Sequence, residues 1–235
     1  MNIEIWSDYV CPFCYIGKRR LEEALTETGL TEKVEVQFKT YLLDPNTPVA
    51  SGQSLIEGLA AKFSVSKVEA ENMLKNIEEQ AKTVGLHYQV NKMKTANTID
   101  AHRLTKFASQ HGKDLQVAER LMHGYFEEGE QIDIEEVLLA IAEEVGLDTE
   151  QAKAMLRSDD FTEEVQRDIE EAREIGIKGV PFFVFNSKYS VSGSQSREAF
   201  VEALEKVAQE EGVKPILQVL GTDSAGQCDD GSCDL

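Results

Sequence analysis

Cys11-Pro12-Phe13-Cys14 puts two thiols, with two residues between them, near the start of the chain. That spacing serves dithiol redox chemistry or a metal, so context decides between them. Ile3 and Ile5 alternate with polar neighbours as a short strand does. From Pro12 to about Thr28 apolar residues recur at helical spacing through Cys14, Gly17, Leu21, Ala24 and Leu25, and Gly29 ends the pattern. Cys11 therefore falls where a strand has ended and a helix begins, with Pro12 suited to the first helical position. Unpaired backbone N–H groups and the positive end of the helix dipole favour thiolate over thiol there. Thiol pKa values in such motifs fall to about 3.5–7.5. The expected roles follow. Cys11 is the exposed nucleophile, and Cys14, one turn on and facing inward, is the resolving thiol. Asp8, just ahead of the motif, is a loop carboxylate whose charge opposes the thiolate if close.

Two further pieces carry chemistry. In Gly179-Val180-Pro181 a proline heads an apolar strand, where it can give the sheet no hydrogen bond and is a candidate cis peptide. A cis bond there turns the Val180 backbone toward the cysteines, so Val180, Pro181, Pro12 and Phe13 form the expected substrate-binding edge. At the other end, Cys228 and Cys233 bracket Asp230-Gly231, a favourable turn. They are read as a second redox pair on a flexible acidic tail that can swing to Cys11.

The elements that must position these groups are legible in outline. Val34, Val36 and Phe38 alternate as a second strand, completing βαβ with a right-handed connection. From Ser54 to about Gly176 nearly everything reads as amphipathic helix, for instance Leu55, Leu59 and Phe63, then Met73, Leu74, Ile77 and Ala81. The Met and Phe positions of these stripes are expected in the core, and Lys18-Arg19-Arg20 on a solvated face. Val180–Phe185 and Tyr189–Val191 form a hairpin, and Ser194 opens a last helix through Phe200, Leu204 and Val207. The expected architecture is α/β: a thioredoxin fold with a large all-helical insertion between its βαβ and ββα halves. Its expected units are a discontinuous thioredoxin-like domain over 1–45 and 160–220, an inserted helical domain over 46–159, and the tail over 221–235.

Ser7-Asp8-Tyr9-Val10-Cys11-Pro12-Phe13-Cys14-Tyr15, Asn97-Thr98 with Ala101-His102-Arg103-Leu104, Gly179-Val180-Pro181-Phe182-Phe183 and Ser192-Gly193-Ser194-Gln195 resemble the DsbA-type thioredoxin-fold family, in its FrnE-like branch. The resemblance implies a thiol–disulfide oxidoreductase of the protein disulfide oxidoreductase/isomerase type, with Cys11 and Cys14 as redox pair and Pro181 as cis proline. It also suggests that Asn97 or His102 points across the groove at the cysteines; from the residues alone they read as a helix cap and a satisfied helix histidine. The best-known periplasmic members carry histidine where this chain has Phe13, so their strong oxidising power does not transfer.

Composition narrows the partners. Of 235 residues, 43 are Asp or Glu against 24 Lys or Arg, a net charge of −19. That disfavours nucleic acid and anionic membrane surfaces. The longest apolar run, Val180–Phe185, is six residues against the ~20 of a spanning helix. Met1 opens into Asn2-Ile3-Glu4-Ile5 without a basic-then-apolar leader, so a cytoplasmic address is expected. Expected partners are thiol- or disulfide-bearing proteins or peptides, with glutathione or another cellular thiol as recycling partner. No cofactor or metal is expected. Two rival functions stay open: a kappa-like glutathione-dependent transferase or isomerase, and a non-catalytic module in which the four cysteines hold zinc.

Overall fold

The computed structural model describes residues 1–213, so the Cys228–Cys233 pair lies outside the described residues. Strand β1 (Asn2–Ser7) leads through α1 (Pro12–Glu27) and a 3-10 turn (Thr31–Lys33) to β2 (Glu35–Thr40). β1 and β2 are parallel, Asn2 opposite Glu35 and Ser7 opposite Thr40. Seven helices follow: α2 (Leu55–Phe63), α3 (Lys67–Lys82), α4 (Ile99–Ser109), α5 (Asp114–His123), α6 (Glu135–Glu144), α7 (Thr149–Leu156) and α8 (Thr162–Glu174), with a π-helical turn (Gly124–Glu128) after α5. Strands β3 (Phe182–Phe185) and β4 (Tyr189–Ser192) and helix α9 (Arg197–Glu211) complete the fold. The sheet order is β2-β1-β3-β4, with β3 antiparallel to both neighbours. This is the thioredoxin-like arrangement with a helical insertion.

Side-chain alternation divides the sheet between two cores. Ile3, Ile5, Phe183 and Phe185 face the larger core, where Leu21, Leu25, Phe200 and Leu204 of α1 and α9 cover them. Trp6, Phe182 and Val184 face the other way, onto Ala172 of α8 and Ile177. Gly17 allows α1 to sit close over β3, since a Cβ there would lie 3.1 Å from the rings of both Pro181 and Phe183.

Four sequence expectations need correction. Ser196, not Ser194, caps the last helix, its Oγ accepting from Ala199 N–H at 3.4 Å. Leu86 to Thr98 runs without helix, breaking the helical block. Its backbone finds partners elsewhere, Gln89 N–H donating to Phe126 O at 2.7 Å and Thr95 N–H to Gln53 O at 2.9 Å. Phe63 and Met73 are exposed, at 52% and 39%, because the α2–α3 hairpin is covered on one side only and buries Ala70, Leu74 and Ala81 instead. Lys18 and Arg19 are not on a solvated face. Both pair with Glu22 and with Glu119 of α5, which ties α1 to the insertion.

Candidate active site

Cys11 is the residue that caps the N-terminus of α1, in extended conformation, and Pro12 takes the first helical position. Its N–H donates to the Asp8 carbonyl at 3.0 Å, and its own carbonyl accepts from Cys14 N–H at 3.0 Å, which folds the motif into the first turn. Both cysteines are unbridged thiols. The sequence pattern implies an exposed Cys11, yet it is only 4% accessible. The Val180 carbonyl stands 3.5 Å from its sulfur and accepts from the thiol, so the strand edge opposite closes over it. The Val180–Pro181 peptide bond is cis. Pro181 O in turn accepts from Gly193 N–H at 2.8 Å, and Arg20 of α1 donates to the carbonyls of Ser194 and Gln195 in the same loop. The first turn of α1 and the Val180-Pro181 edge are thus held as one unit.

Cys14 lies one turn inside. Burial pushes its thiol well above the ordinary value, and the hydrogen bond and charge of Cys11 push the same way. The Ser7 hydroxyl and the Asp8 backbone oppose that rise. Two adjacent thiols therefore have different environments: one at a helix start beside a strand edge, the other in the core.

Of the remaining sequence candidates, Phe13 is partly buried against the core. Asn97 does not reach the thiols by hydrogen bonding: its Nδ2 donates to Thr47 O at 2.9 Å and its Oδ1 accepts from Ile99 N–H at 3.0 Å, closing the start of α4. His102 is buried beside the loop that carries the motif, its ring 4.6 Å from that of Tyr9 and its Nε2 3.7 Å from Asp8 Oδ1.

Tyr88 was missed. It sits in the non-helical segment of the insertion, and its hydroxyl donates to Pro12 O at 2.8 Å from 76 residues away. Its ring stacks on Phe126 at 4.6 Å and near Tyr15 at 6.4 Å. Tyr15 continues the layer outward, donating to Glu119 Oε1 at 2.7 Å. Burial of Glu119 raises its carboxyl pKa, but the Lys18 charge and hydrogen bond outweigh that and leave it lowered, so the layer ends in a committed carboxylate. An irregular segment offers no periodicity, so nothing local marks Tyr88. Tyr88→Phe keeps the stacking and loses one hydrogen bond, so we expect a stability loss of about 1 kcal/mol in urea unfolding. Cys11 should also alkylate faster as the segment loosens over Pro12. A variant unchanged in both respects would show that the bond anchors nothing.

A family profile described as a DSBA-like thioredoxin domain matches residues 2–205. A crystal structure of a probable DsbA oxidoreductase from Streptomyces coelicolor superposes with a TM-score of 0.83 at 33% identity, covering 97% of each chain. The uncharacterized protein YwbO of Bacillus subtilis is 26% identical over 87% of this chain and 96% of its own length. The cytosolic disulfide reductase DsbM of Pseudomonas aeruginosa shares the fold, with a TM-score of 0.64 at 13% identity over 89% of this chain and all of its own (100%).

Proposed function

We propose that this chain, which belongs to the DSBA-like thioredoxin domain family of thiol–disulfide oxidoreductases, exchanges disulfides with protein or small-thiol substrates through Cys11 and Cys14. The observation that carries the reading is the placing of Cys11 at the start of α1, against the Val180 carbonyl, with Cys14 one turn behind it. As a reductase, the Cys11 thiolate attacks one sulfur of a substrate disulfide and the other sulfur leaves as a thiolate. Cys14 then loses its proton and attacks Cys11, forming the Cys11–Cys14 bond and releasing the second substrate sulfur. Two electrons pass from the cysteine pair to the substrate, and the reverse order oxidises a dithiol. An extended substrate backbone lies along Val180 and Pro181, with Pro12 and Phe13 on the other side of the sulfur.

The FrnE-like placement rests on the motif strings, and the choice of a cellular thiol as recycling partner on the chemistry of the site. A DsbM structure has been solved with glutathione, which makes glutathione the first partner to try. The Cys228–Cys233 pair, outside the described residues, is proposed as a second redox pair that exchanges with Cys11.

The test is insulin reduction and oxidative refolding of a reduced substrate by the full chain, beside Cys228→Ser/Cys233→Ser. Activity in either direction that needs both Cys11 and Cys14 supports the main reading. A lower rate in the tail double variant supports the relay, and unchanged rates in both directions remove it. Conjugation of glutathione to an electrophile independent of Cys14 would instead identify a transferase.

A further inference from the structure

Leu55, Gly58, Leu59 and Lys62 lie three and four residues apart on one face of α2, and together they line a cavity of about 300 Å³. Val10, the residue before Cys11, and Leu43 of the loop after β2 line it too. The cavity therefore adjoins the redox motif, since neighbouring Cα atoms are about 3.8 Å apart. Leu43 is also tied to the motif's loop. Its N–H donates to Asp8 Oδ2 at 2.7 Å, and Asp8 O accepts from Cys11 N–H at 3.0 Å.

The walls are fixed by the chain itself. Leu55 N–H donates to Met93 O at 3.0 Å and Thr95 N–H to Gln53 O at 2.9 Å, on either side of an antiparallel bridge between Ser54 and Lys94. The Tyr125 hydroxyl donates to Lys94 O at 2.8 Å. Two side chains secure the loop after β2, Asn97 Nδ2 donating to Thr47 O at 2.9 Å and Asp133 Oδ2 accepting from Ala50 N–H at 2.8 Å. Gly58 lets α2 close up on the Thr95 wall, since a Cβ there would lie 2.5 Å from Thr95 Cγ2. Leu43, Val49 and Phe63 are exposed, Val49 in the same loop and Phe63 one turn beyond Leu59 on α2, so the surface around the cavity is apolar as well.

We propose that this cavity is a side-chain subsite of the exchange reaction, which takes a large apolar side chain close to the cysteine of a polypeptide substrate and so gives the protein a sequence preference. The proposal rests on the reading of Cys11 as the attacking thiol. In that step the Cys11 thiolate bonds to one substrate sulfur, the substrate disulfide breaks, and the other sulfur leaves as a thiolate. The half retained on Cys11 is the one whose neighbouring side chain fills the cavity. A volume of about 300 Å³ is at the small end of ligand pockets, which suits one side chain. Glutathione is a poor occupant. It brings two carboxylates, whereas Lys62 is the one cation among the lining residues and has Asp44 at 3.8 Å. A polypeptide with an apolar residue beside its cysteine buries that residue against Val10, Leu43, Leu55 and Leu59 without stranding a charge.

The experiment uses the reduced full-length chain carrying Cys228→Ser and Cys233→Ser, so that Cys11 and Cys14 alone react. Symmetrical disulfides of short peptides, with phenylalanine one or two positions before or after the cysteine, are compared with the serine-only peptide and with oxidised glutathione. Chromatography follows the release of thiol. We expect one phenylalanine position to raise the second-order rate constant about tenfold over the serine peptide, and above that of oxidised glutathione. Leu43→Glu puts a charge at a rim position that is 40% exposed, which spares the core, and Leu59→Trp fills the cavity. Each should bring the phenylalanine-to-serine ratio close to one, and collapse of the ratio in either variant supports the subsite. A misfolded protein slows every substrate alike, so the ratio reads the cavity and not the fold. Absence of a phenylalanine preference at every position, a preference that survives both variants, or oxidised glutathione outpacing every peptide overturns the proposal. If the parent protein reduces none of these disulfides, the redox-pair reading itself fails, separately from this inference.

Discussion

Cys11→Ser is expected to abolish disulfide exchange, whereas Cys14→Ser should leave the first attack intact and accumulate mixed disulfides between Cys11 and its substrates. The asymmetry follows from position. Cys11 stands at the start of α1 beside the Val180 carbonyl, and a serine hydroxyl there is too weak an acid to ionise at neutral pH and forms no mixed disulfide. Cys14 is in the core, and burial raises its thiol above the ordinary value. Its thiolate fraction at neutral pH is therefore small, and resolution should accelerate as pH rises through and beyond the ordinary thiol range. Raising an acid's pKa stabilises its protonated form, so the neutral Cys14 thiol favours the fold at low pH, and that contribution is lost as pH rises through the elevated value. Intact-mass spectra of both variants after incubation with an oxidised peptide measure the outcome. A Cys14→Ser protein that carries no adduct, or a Cys11→Ser protein that turns over, would reverse the assigned roles.

What the sequence makes legible here is what local pattern encodes. Ile3 and Ile5 alternate because one face of β1 is buried under α1 and α9, and that alternation can be read directly. Cys11-Pro12 marks a helix start because proline fits its first position, and Val180-Pro181 marks a strand head for a related reason. Contacts made far along the chain leave no such trace. Tyr88 reaches Pro12 from a segment without period, and His102 meets Asp8 only because α4 packs behind the β1–α1 loop. The stripe through Phe63 and Met73 has the spacing of a core face, yet α2 and α3 lack a layer on that side. Periodicity states that a helix is amphipathic but not how much of its apolar arc another element covers. The Lys18 and Arg19 charges read as solvated for the converse reason: their partner, Glu119, arrives from a distant helix.

Arg103 gives the clearest case of a surface-type residue placed where sequence could not anticipate it, and its replacement should be the most destabilising single change outside the hydrophobic core. Its side chain is 6% exposed. The guanidinium donates to Met155 O at 2.7 Å, Asp160 O at 2.9 Å and Leu156 O at 3.4 Å, and also to Ser158 O. Met155 and Leu156 close α7, where helix carbonyls lack partners within the helix. The segment then turns through Phe161, which adopts a positive φ of 64°, into α8. One side chain therefore donates to four carbonyls across the α7–α8 turn, and α8 carries Asp168, which accepts from Thr40 N–H at 2.7 Å at the end of β2. Arg103→Ala removes the guanidinium from the half-buried Leu156, Ser158 and Asp160 carbonyls at about 1 kcal/mol each, while Met155 O keeps Ser158 N–H and Oγ, so a net loss of about 2–4 kcal/mol is expected. Asp100, 45% exposed, loses its partner at small cost. Arg103→Lys keeps the charge but presents a point donor in place of a planar fork, and should lose about half as much. Urea unfolding with an unchanged m value measures both. Because none of these bonds touches the cysteines, attack by Cys11 should keep its rate below the unfolding transition. A loss under about 1 kcal/mol for Arg103→Ala would mean that water serves the turn as well as the guanidinium does.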